Sequence, residues 1–458
     1  MENKCEICDS RRRLHFIGIG GVGMYSLARL AKNIGYTVTG SDLAKSPYTE
    51  SLSALGVKIF YSHAKENVDG AWGIVYSLAV STDNPELSAA LNSGAQIYSR
   101  AELFGLLMKK YATRIGVSGS HGKSTTTAMV YHILKHLGLS ATAAVGAPIS
   151  DGLPFCDGSD ELLVYEACEY KDSFLKLFPS VVALTNIELD HTDYFSCLDD
   201  IKHSFLACVN RAEKFAVINI DDENSASLLP FIKTGVVSYG FSENASVRAS
   251  IASFCDDGIK YTLIKNNSYC GEYFLKTLGV YNLSNALCAI ATVSELLGVP
   301  AGYCGAALES FSGVSRRTEL LGRLLGRDVI YDYAHHPTEI RAVIDALKLK
   351  YRTLTVIFIP HTYTRTRDLW DDFVRALSLA DRIVITDIFP AREAPINGIS
   401  AKRLANAIGE SAVYANAVSA VDIALSSDTC AIAVMGAGNA DVLLRSLYEK
   451  GLDKSGKV

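Results

Sequence analysis

A glycine-rich segment in the first half of the chain has the residue types of a phosphate-binding loop. The stretch GVSGSHGKSTT, which starts at Gly116, follows a predicted strand and precedes a predicted helix, with GKS at Gly122, Lys123 and Ser124. In such a loop, backbone N–H groups cradle the phosphates, the lysine charge meets the β and γ oxygens, and the hydroxyl reaches Mg²⁺. A complete Walker A motif has glycine where this chain has Val117, so an accidental turn is the alternative.

A second glycine turn lies near the start of the chain. Gly18, Gly20 and Gly23 in GIGGVG follow a predicted strand and open a predicted helix, which presents backbone N–H groups to a diphosphate. Asp42 ends the next strand, close to the spacing at which a carboxylate meets a ribose hydroxyl. Taken alone, the pattern indicates an NAD enzyme, a protein for another nucleotide diphosphate, or a tight turn without a ligand.

Acidic, histidine and arginine side chains follow several other predicted strands. They are Glu166 and Glu169, then Asn186, Asp190, His191 and Asp193, and in the last third Asp332, His335, His336, Glu339, His361 and Arg365. Open α/β sheets bind ligands at the carboxyl ends of their strands. A carboxylate and an imidazole there could complete Mg²⁺ coordination with Ser124, and Arg365 could hold a carboxylate bidentately. For any one of these residues alone, a surface hydrogen bond or a helix or loop cap is the alternative.

The elements that would position these residues alternate between strands and helices. A βαβαβ pattern begins at Leu14 and ends near Tyr111, and a second unit runs from TRIGVSGS to a helix containing SNALCAIATVSELLG. The segment FSGVSRRTELLGRL resembles a junction, after which DVIYDYAH, LTVIFIPH, RIVITDIF and CAIAVMGAG read as strands. Alternating strands and helices predict parallel sheets. We therefore predict an α/β fold with domains at residues 1–111, 112–321 and 322–458.

The composition is that of an ordinary globular protein. A chain of 458 residues with 49% hydrophobic and 20% charged residues is neither fibrous nor largely disordered. The net charge of −5 is too small and too evenly spread to favour nucleic acid or anionic membranes as partners. No stretch approaches the roughly 20 apolar residues of a spanning helix, and the N-terminus lacks the apolar core of a signal peptide. We therefore predict a cytoplasmic protein without membrane insertion.

The eleven cysteines do not have the pattern of a disulfide framework. Cys208, Cys288 and Cys430 lie in apolar segments and are predicted to be reduced, buried thiols. Cys5 and Cys8 form a lone CxxC without a second pair at zinc-ribbon spacing, so a solvated terminus is favoured over a metal site.

Together, the motifs resemble the Mur ligase family over nearly the whole chain, from His15 to about Leu447. HFIGIGGVGM, GSD, NPEL, SRAE, GSHGKSTT, TNIELDHTDYF, YDYAHHPTE, PHTYTRT and GAGNADVL occur in the family's order. The resemblance implies an N-terminal Rossmann-like domain that binds UDP, a central P-loop ATPase-like domain, and a C-terminal Rossmann-like domain that closes over the site with the amino acid. It replaces the NAD interpretation of the first glycine turn with a UDP sugar.

The activity that the resemblance implies is the ATP-dependent joining of L-alanine to the lactyl carboxylate of UDP-N-acetylmuramate, with release of ADP and phosphate, in peptidoglycan synthesis. The expected cofactors are ATP, as cosubstrate, and Mg²⁺, and the expected assembly is a monomer or a homodimer. A recycling ligase that adds a preformed peptide and a noncatalytic UDP-sugar sensor are the alternatives, and an NAD dehydrogenase is a more distant one. GIGGVGM favours the alanine enzyme, and the intact GKS and DHTD segments argue against a sensor.

The resemblance also assigns roles to individual residues. The expected catalytic residues are Lys123, His191 and Arg365, and the expected ATP contacts are Gly119, Ser120, His121, Gly122, Lys123, Ser124, Thr125, Asn282 and Asn285. The expected UDP-sugar contacts are Gly18, Gly20, Gly21, Gly23, Ser41 and Asp42. The expected amino-acid and closure contacts are His336, His361 and Arg365, and the expected metal ligands are Ser124, Glu166 and His191.

The chain departs from the family's commonest pattern at several positions. Ser124 stands where threonine is usual, a change that keeps the hydroxyl. Tyr281 replaces the usual histidine before Asn282, and Ile359 replaces the usual glutamine before Pro360. EACEYKDSF replaces a more acidic, EADESD-like run. These departures bear on the adenine contacts and on the surroundings of a second metal.

Overall fold

The computed structural model describes residues 12–77, 80–149, 152–391, 393–437 and 440–453. Cys5, Cys8, and Gly438 and Asn439 of the GAGNADVL motif lie outside the described residues. The chain divides into two compact units. Unit 1 comprises Met1–Asn186, Lys202–Ser238 and Ala291–Leu296, and unit 2 comprises Ile187–Ile201, Tyr239–Ile290 and Leu297–Val458.

The first sheet of unit 1 has five parallel strands in the order β3-β2-β1-β4-β5. Its strands are β1 (Arg13–Ile17), β2 (Thr37–Ser41), β3 (Lys58–Phe60), β4 (Gly73–Tyr76) and β5 (Gln96–Ser99). Its helices are α1 (Val22–Asn33), α2 (Pro47–Ala54), α3 (Pro85–Ser93) and α4 (Arg100–Leu107). The predicted βαβαβ pattern is confirmed, and the carboxyl ends of β1, β2 and β3 lie side by side at one edge of the sheet.

The second sheet of unit 1 begins with the strand before the phosphate loop. Its strands run in the order β11-β10-β6-β9-β7-β8, and β8 alone pairs antiparallel. They are β6 (Thr113–Ser118), β7 (Ala141–Ala144), β8 (Phe155–Cys156), β9 (Leu162–Glu166), β10 (Val181–Leu184) and β11 (Phe215–Asn219). The accompanying helices are α5 (Lys123–His136), α6 (Leu198–Val209) and α7 (Glu223–Ala226).

A strand that follows α7, β12 (Gly235–Gly240), leads to an antiparallel meander in unit 2. The last two residues of β12 pair with β13, and β13, β14 and β15 then pair in sequence. The meander consists of β13 (Val247–Cys255), β14 (Gly258–Lys265) and β15 (Ser268–Leu275), followed by α8 (Val280–Leu297) and α9 (Ala301–Leu308). Helix α8 is long and apolar enough to span a membrane. However, 67% of it is buried inside the fold, as in the core helix of a globular protein.

The third sheet lies in unit 2 and has the order β16-β17-β21-β18-β19-β20. Its strands are β16 (Glu319–Leu324), β17 (Arg327–Asp332), β18 (Leu354–Phe358), β19 (Arg382–Ile385), β20 (Ala412–Tyr414) and β21 (Ala431–Met435). Its helices are α10 (Pro337–Lys348), α11 (Tyr363–Asp368), α12 (Trp370–Leu377), α13 (Ala401–Ile408), α14 (Ala417–Ser426) and α15 (Asp441–Glu449). The predicted junction FSGVSRRTELLGRL contains β16, which pairs antiparallel with β17.

Both faces of the third sheet are covered, as parallel strands require. Successive side chains of a strand point to opposite faces. Val356 and Phe358 therefore pack into one core with α10 and α12, whereas Ile357 and Ile359 pack into a second core with α14 and α15. Ile359, the residue directly after β18, is buried in this second core.

None of the nine described cysteines forms a disulfide. Cys208 and Cys288 are buried, as predicted. The prediction for Cys430 is wrong, because this residue is exposed immediately before β21. The apolar residues that follow Cys430 belong to the buried strand β21, whereas Cys430 itself lies outside this strand.

Candidate active site

A cleft of about 880 Å³ opens in unit 1 beside the first glycine turn. Gly18 has a φ of +76°, a conformation that favours glycine. The N–H of Gly20 donates to Asp42 Oδ2 at 2.8 Å, and a Cβ at this position would lie 2.7 Å from the same oxygen. The turn therefore approaches Asp42 more closely than a larger residue allows. The predicted residues Gly18, Gly20, Gly21, Gly23 and Asp42 all line the cleft.

Ser41 is placed differently from the prediction. Its side chain is fully buried, and its hydroxyl donates to Glu86 at 2.5 Å, so it supports the cleft from beneath and does not line it. Sequence reasoning assigned no site role to three residues that do line the cleft, namely His63, Asn84 and Arg100. Asn84 and Arg100 belong to the NPEL and SRAE motifs, whose presence was the available signal.

The phosphate loop between β6 and α5 is fastened to the strand beside it. Asn186 Oδ1 accepts from the N–H of His121 at 2.9 Å, and its backbone carbonyl accepts from the N–H of Ser120 at 3.0 Å. The Asn186 amide also donates to the His121 carbonyl at 3.1 Å. Gly119 and Gly122 have φ values of +136° and +82°, in keeping with the predicted turn.

The sequence predicted that N–H groups along the whole loop contact phosphates. The contacts with Asn186 reduce the number of N–H groups that are available. The N–H groups of Ser120 and His121 point to Asn186, and so they shape the loop. The N–H groups of the first turn of α5, from Lys123 to Thr125, have no partner within the helix. They lie at the positive end of the helix dipole, where an anion is stabilised.

Lys123 begins α5 and is largely buried. Its ammonium donates to the carbonyls of Gly119 and Ser120 at 2.5 and 3.1 Å and to Glu169 Oε1 at 3.0 Å. Burial by itself lowers the pKa of this lysine, but the carboxylate of Glu169 outweighs burial, and the net pKa is raised. The residue is therefore a permanent cation at the mouth of the loop.

Two of the predicted metal ligands lie in unit 1 and offer oxygen atoms. Nothing among the described residues hydrogen-bonds the Ser124 hydroxyl, which is buried at the start of α5. Glu166 ends β9, and its Oε1 accepts from the N–H of Gly146. A Cβ on Gly146 would come within 2.6 Å of the other Glu166 oxygen. A hydroxyl and a carboxylate are the hard donors that Mg²⁺ prefers, so the donor set fits this ion.

The predicted nucleotide contacts Asn282 and Asn285 lie in unit 2, near the start of α8, and both are buried. The Asn282 amide donates to the Leu278 carbonyl at 2.7 Å. Tyr281 packs against the core around α10, and its hydroxyl lies 2.9 Å from that of Thr318. Burial raises the pKa of Tyr281. Tyr281 is thus a neutral hydrogen-bonding residue of unit 2.

Arg365 and Asp190 form a buried ion pair in unit 2. Nε and Nη2 of Arg365 both donate to Asp190 Oδ1, at 3.2 and 2.7 Å. Burial works against the charge of Asp190, but Arg365 and then His191 and His335 hold its pKa well below the usual range. Arg365 therefore holds the carboxylate of Asp190 through one oxygen, and its predicted contact with a substrate carboxylate stays a prediction.

The same guanidinium fixes the protonation state of His361. Nη1 of Arg365 lies 3.1 Å from His361 Nδ1, and since arginine only donates, Nδ1 is the acceptor and the ring proton sits on Nε2. Burial and the charge of Arg365 lower the pKa of His361 to about 4. His361 is therefore neutral at physiological pH.

The predicted closure residue His336 caps α10. Its Nδ1 accepts from the N–H of Thr338 at 3.4 Å, and Glu339 Oε2 accepts from the N–H of His336. The Thr338 hydroxyl in turn donates to Glu188 at 2.6 Å. This is the loop cap that sequence reasoning kept as the alternative for the paired histidines.

His191 lies in unit 2, directly after Asp190, with a φ of +53°. Its N–H donates to Asp190 Oδ1 at 2.7 Å, which helps to hold this unusual backbone conformation. Glu393, which sequence reasoning missed, holds the turn before α11 by accepting from both the Thr362 hydroxyl, at 2.5 Å, and the N–H of Thr364, at 2.8 Å. The turn carries His361, and Arg365 follows it in α11.

Comparison with known proteins covers most of the chain. Family models described as the Mur ligase catalytic domain, the Mur ligase middle domain and the Mur ligase glutamate ligase domain match residues 13–112, 117–293 and 316–444. The UDP-N-acetylmuramate–L-alanine ligase of Caldicellulosiruptor bescii is 38% identical and covers 96% of this chain and 99% of its own. The ligase of the same name from a Sulfurihydrogenibium species is 41% identical over 87% of both chains.

A solved structure agrees with the sequence matches. The UDP-N-acetylmuramate–alanine ligase of Thermotoga maritima superposes with a TM-score of 0.80 at 28% identity, over 95% of this chain and 98% of that one. Together the three family models extend over the glycine turn, the phosphate loop and the Arg365 region. The chain belongs to the Mur ligase family.

Proposed function

We propose that this chain is an ATP-dependent ligase that joins L-alanine to the lactyl carboxylate of UDP-N-acetylmuramate, giving UDP-N-acetylmuramoyl-L-alanine, ADP and phosphate. The observation that carries the proposal is the run of relatives named for this reaction, from 36% to 41% identical over 86% to 97% of the chain. The phosphate loop and the cleft in unit 1 support the proposal as candidates for the two nucleotide sites that the reaction needs.

The cleft is the proposed site of the UDP sugar. The first turn of α1 directs N–H groups towards a diphosphate, and Asp42 follows the neighbouring strand, where it can accept from a ribose hydroxyl. Arg100 also lines the cleft and approaches Gly23, where a Cβ would lie 3.0 Å from its Nη1. Its charge suits the diphosphate.

The proposed chemistry has two steps. A lactyl carboxylate oxygen attacks the γ-phosphorus of ATP, and the bond between this phosphorus and the β,γ-bridging oxygen breaks. ADP departs, and the substrate becomes an acyl phosphate. The amine of L-alanine then attacks the acyl carbon, and the tetrahedral intermediate expels phosphate as the nitrogen loses a proton. The protein needs no nucleophile of its own. Lys123 and the N-terminus of α5 place positive charge where the phosphoryl oxygens carry negative charge.

Ser124 and Glu166 are the proposed ligands of Mg²⁺, with His191 of unit 2 as the predicted third. When bound, the ion neutralises charge on the phosphoryl oxygens. We expect His191→Ala to raise the Mg²⁺ concentration needed for half-maximal activity, and His136→Ala, on the exposed end of α5, to leave it unchanged. A magnesium titration checks this, and overlapping curves for His191→Ala and the parent protein would remove His191 from the ligand set.

Arg365 is the proposed anchor of the amino-acid carboxylate. Nε and one N–H of Nη2 donate to Asp190, and Nη1 donates to the Nδ1 and the carbonyl of His361, so the second N–H of Nη2 is the donor left for a substrate carboxylate among the five of arginine. His361 is neutral and adds no charge beside it. His336 and the ATP contacts Asn282 and Asn285 keep their predicted roles as part of this proposal.

The remaining assignments follow from the same proposal. We assign residues 1–111 to UDP-sugar binding, 112–321 to ATP binding and 322–458 to the amino acid and closure. The expected setting is the cytoplasm, where the substrates are soluble, and the assembly is a monomer or a homodimer. The small net charge of −5 supports small-molecule substrates over nucleic acid.

The deciding experiment measures phosphate release from ATP with Mg²⁺ and UDP-N-acetylmuramate, and identifies the product by mass spectrometry. L-alanine, glycine, L-serine and a muramyl-type tripeptide are compared as acceptors. Release that depends on L-alanine, with UDP-N-acetylmuramoyl-L-alanine as product, is the expected result. Release with the tripeptide alone would identify a recycling ligase, and UDP-sugar binding without release would identify a sensor.

A further inference from the structure

A fully buried carboxylate lies beneath one wall of the cleft in unit 1. Glu86, in the first turn of α3, accepts from Ser41 Oγ and Asn67 Nδ2, each at 2.5 Å, and from His63 Nδ1 at 3.0 Å. His15 Nε2 lies 3.7 Å from Glu86 Oε1. We call these five residues the Glu86 cluster. Four polar groups converge on a single carboxylate, and one of them, His63, also lines the cleft.

The cluster determines which nitrogen of His63 carries a proton. Burial opposes the charge of Glu86, but the nearby His15 ring and hydrogen bonds from Ser41, Asn67 and His63 lower its pKa to about 2. An ionised carboxylate only accepts hydrogen bonds, so His63 Nδ1 must be the donor. In the neutral ring Nε2 is then an acceptor, and no hydrogen bond to Nε2 comes from any residue that the structure describes.

The position of His63 in the sheet indicates which part of a ligand it meets. The glycine turn follows β1, Asp42 follows β2, and His63 comes shortly after β3, in the strand order β3-β2-β1. A diphosphate at the first turn and a ribose near Asp42 place the nucleoside on the side of β3. His63 therefore lies at the nucleoside end of the cleft.

We propose that His63 reads the nucleoside of the bound sugar nucleotide, with Nε2 accepting a hydrogen bond from it. Glu86 is a positioning residue that fixes the tautomer of the ring. The inference rests on the proposed binding of a UDP sugar in this cleft. Uridine offers two kinds of donor, the N3–H of the base and the ribose hydroxyls. Cytosine has no proton on N3, so the base contact would also favour uridine over cytidine.

Calorimetric binding of UDP, CDP, N3-methyl-UDP and 2′-deoxy-UDP to the full chain tests the contact. His63→Phe keeps a ring and removes both nitrogens, and His136→Phe, on the exposed end of α5, is the matched control. We expect the parent protein and the control to bind UDP about 3- to 10-fold more tightly than the analogue that lacks the donor, the range for one neutral hydrogen bond. In His63→Phe this ratio should fall towards one.

The pattern of lost discrimination identifies the donor. A reduced ratio for CDP and N3-methyl-UDP assigns the base, and a reduced ratio for 2′-deoxy-UDP assigns the ribose. Either result supports the inference. UDP binding with all ratios unchanged in His63→Phe would overturn the inference and leave the proposed function intact. Failure of the parent protein to bind UDP would overturn the proposed function itself.

A second measurement reads the tautomer of His63 and so reports on Glu86 directly. Nitrogen-15 NMR of histidine-labelled protein distinguishes the two tautomers of each ring, and the His63 signals are those absent from His63→Phe or, if that variant does not fold, from His63→Gln. We expect the Nδ1–H form in the parent protein and a mixture of forms in Glu86→Ala. An Nε2–H form in the parent protein would contradict the role of Glu86.

Discussion

Lys123 and Glu169 form an ion pair that affects both the stability of the fold and the proposed chemistry. The side chain of Glu169 is 2% exposed, so removal of the lysine leaves a buried carboxylate without this cation. Breaking a buried pair from one side costs about 3–5 kcal/mol of unfolding free energy. A loss of activity in a lysine variant therefore needs a control for stability.

We expect Lys123→Ala to lower kcat by at least about 10²-fold, because a charge that stabilises the transferred phosphoryl group is lost. The double variant Lys123→Ala with Glu169→Gln should recover much of the stability in a thermal melt and none of the activity. Near-normal turnover by a folded Lys123→Ala protein would show that the loop is not the phosphate site.

Glu86 gives the fold a defined response to acid. Its pKa falls from 4.5 to about 2 on folding. A carboxyl group with a lowered pKa stabilises the fold above its unfolded pKa, and that contribution disappears as the pH falls through the folded pKa. At about 1.4 kcal/mol per pH unit, the contribution is of the order of 3 kcal/mol.

We therefore expect the free energy of unfolding of the parent protein to fall between pH 4.5 and 2 more steeply than that of Glu86→Gln. Denaturant titrations at a series of pH values measure the difference. Glu66→Gln, at an exposed carboxyl group, is the control. Parallel pH profiles for the Glu86 variant and the parent protein would contradict the lowered pKa.

Local spacing predicted some site residues and not others. Lys123 and Ser124 could be assigned because a loop of a few residues fixes where they lie relative to a helix N-terminus. The pairing of Arg365 with Asp190 joins positions 175 residues apart, and no spacing rule reaches that far. Ser41 was misplaced for a related reason, since its partner Glu86 belongs to α3 and only the folded sheet brings them together.

At the level of elements, the turn between β6 and α5 depends on β10. The loop takes its shape from Asn186, which follows that strand and bonds both Ser120 and His121 through backbone and side-chain groups. A phosphate loop that is held from outside has little freedom to lose when it binds a ligand. Its affinity should therefore depend on a residue that need not touch the nucleotide.

We expect Asn186→Ala to weaken ATP binding several-fold and to leave UDP binding unchanged, because it removes both side-chain hydrogen bonds to His121. Each such bond contributes about 1 kcal/mol. Asn210→Ala, which removes hydrogen bonds to Phe231 and Lys233 elsewhere in unit 1, is the matched control. Equal ATP affinities for the two variants in a calorimetric titration would show that the fastening is dispensable.

The strands that the sequence predicted are those that consist of a continuous apolar run. Strands such as β6, β10 and β18 are buried along most of their length and stand out in the sequence. The meander β13–β15 was missed, since its strands mix exposed and half-buried positions, as antiparallel strands with one wet face do. Strand β16 was missed because it lies in the segment FSGVSRRTELLGRL, which was interpreted as a junction.

For the whole molecule, unit 1 contains both the cleft and the phosphate loop, and ligands should report on them separately. Binding at 100 times the dissociation constant stabilises a protein by about 2.7 kcal/mol. We expect UDP to raise the melting temperature of the parent protein and of Gly235→Ala, a glycine with ordinary room for a Cβ.

Gly20→Ala should lose the response to UDP, because its Cβ would lie 2.7 Å from Asp42 Oδ2 and would force the turn to move. Its response to MgATP should remain. Differential scanning fluorimetry with each ligand in turn measures both shifts. Loss of both responses in Gly20→Ala would mean that the substitution damages unit 1 as a whole.

The Arg365–Asp190 pair has a consequence for which acceptors the ligase can use. The two charges cancel, and His335 and His361, whose pKa values are each lowered to about 4 by burial and by Arg365, contribute none at neutral pH. An alanine zwitterion has no net charge, so it brings no charge that these surroundings must balance. An acidic peptide brings a surplus of negative charge and meets no surplus cation from this pair. We therefore expect the charge balance at this pair to favour a small zwitterionic amino acid over an acidic peptide.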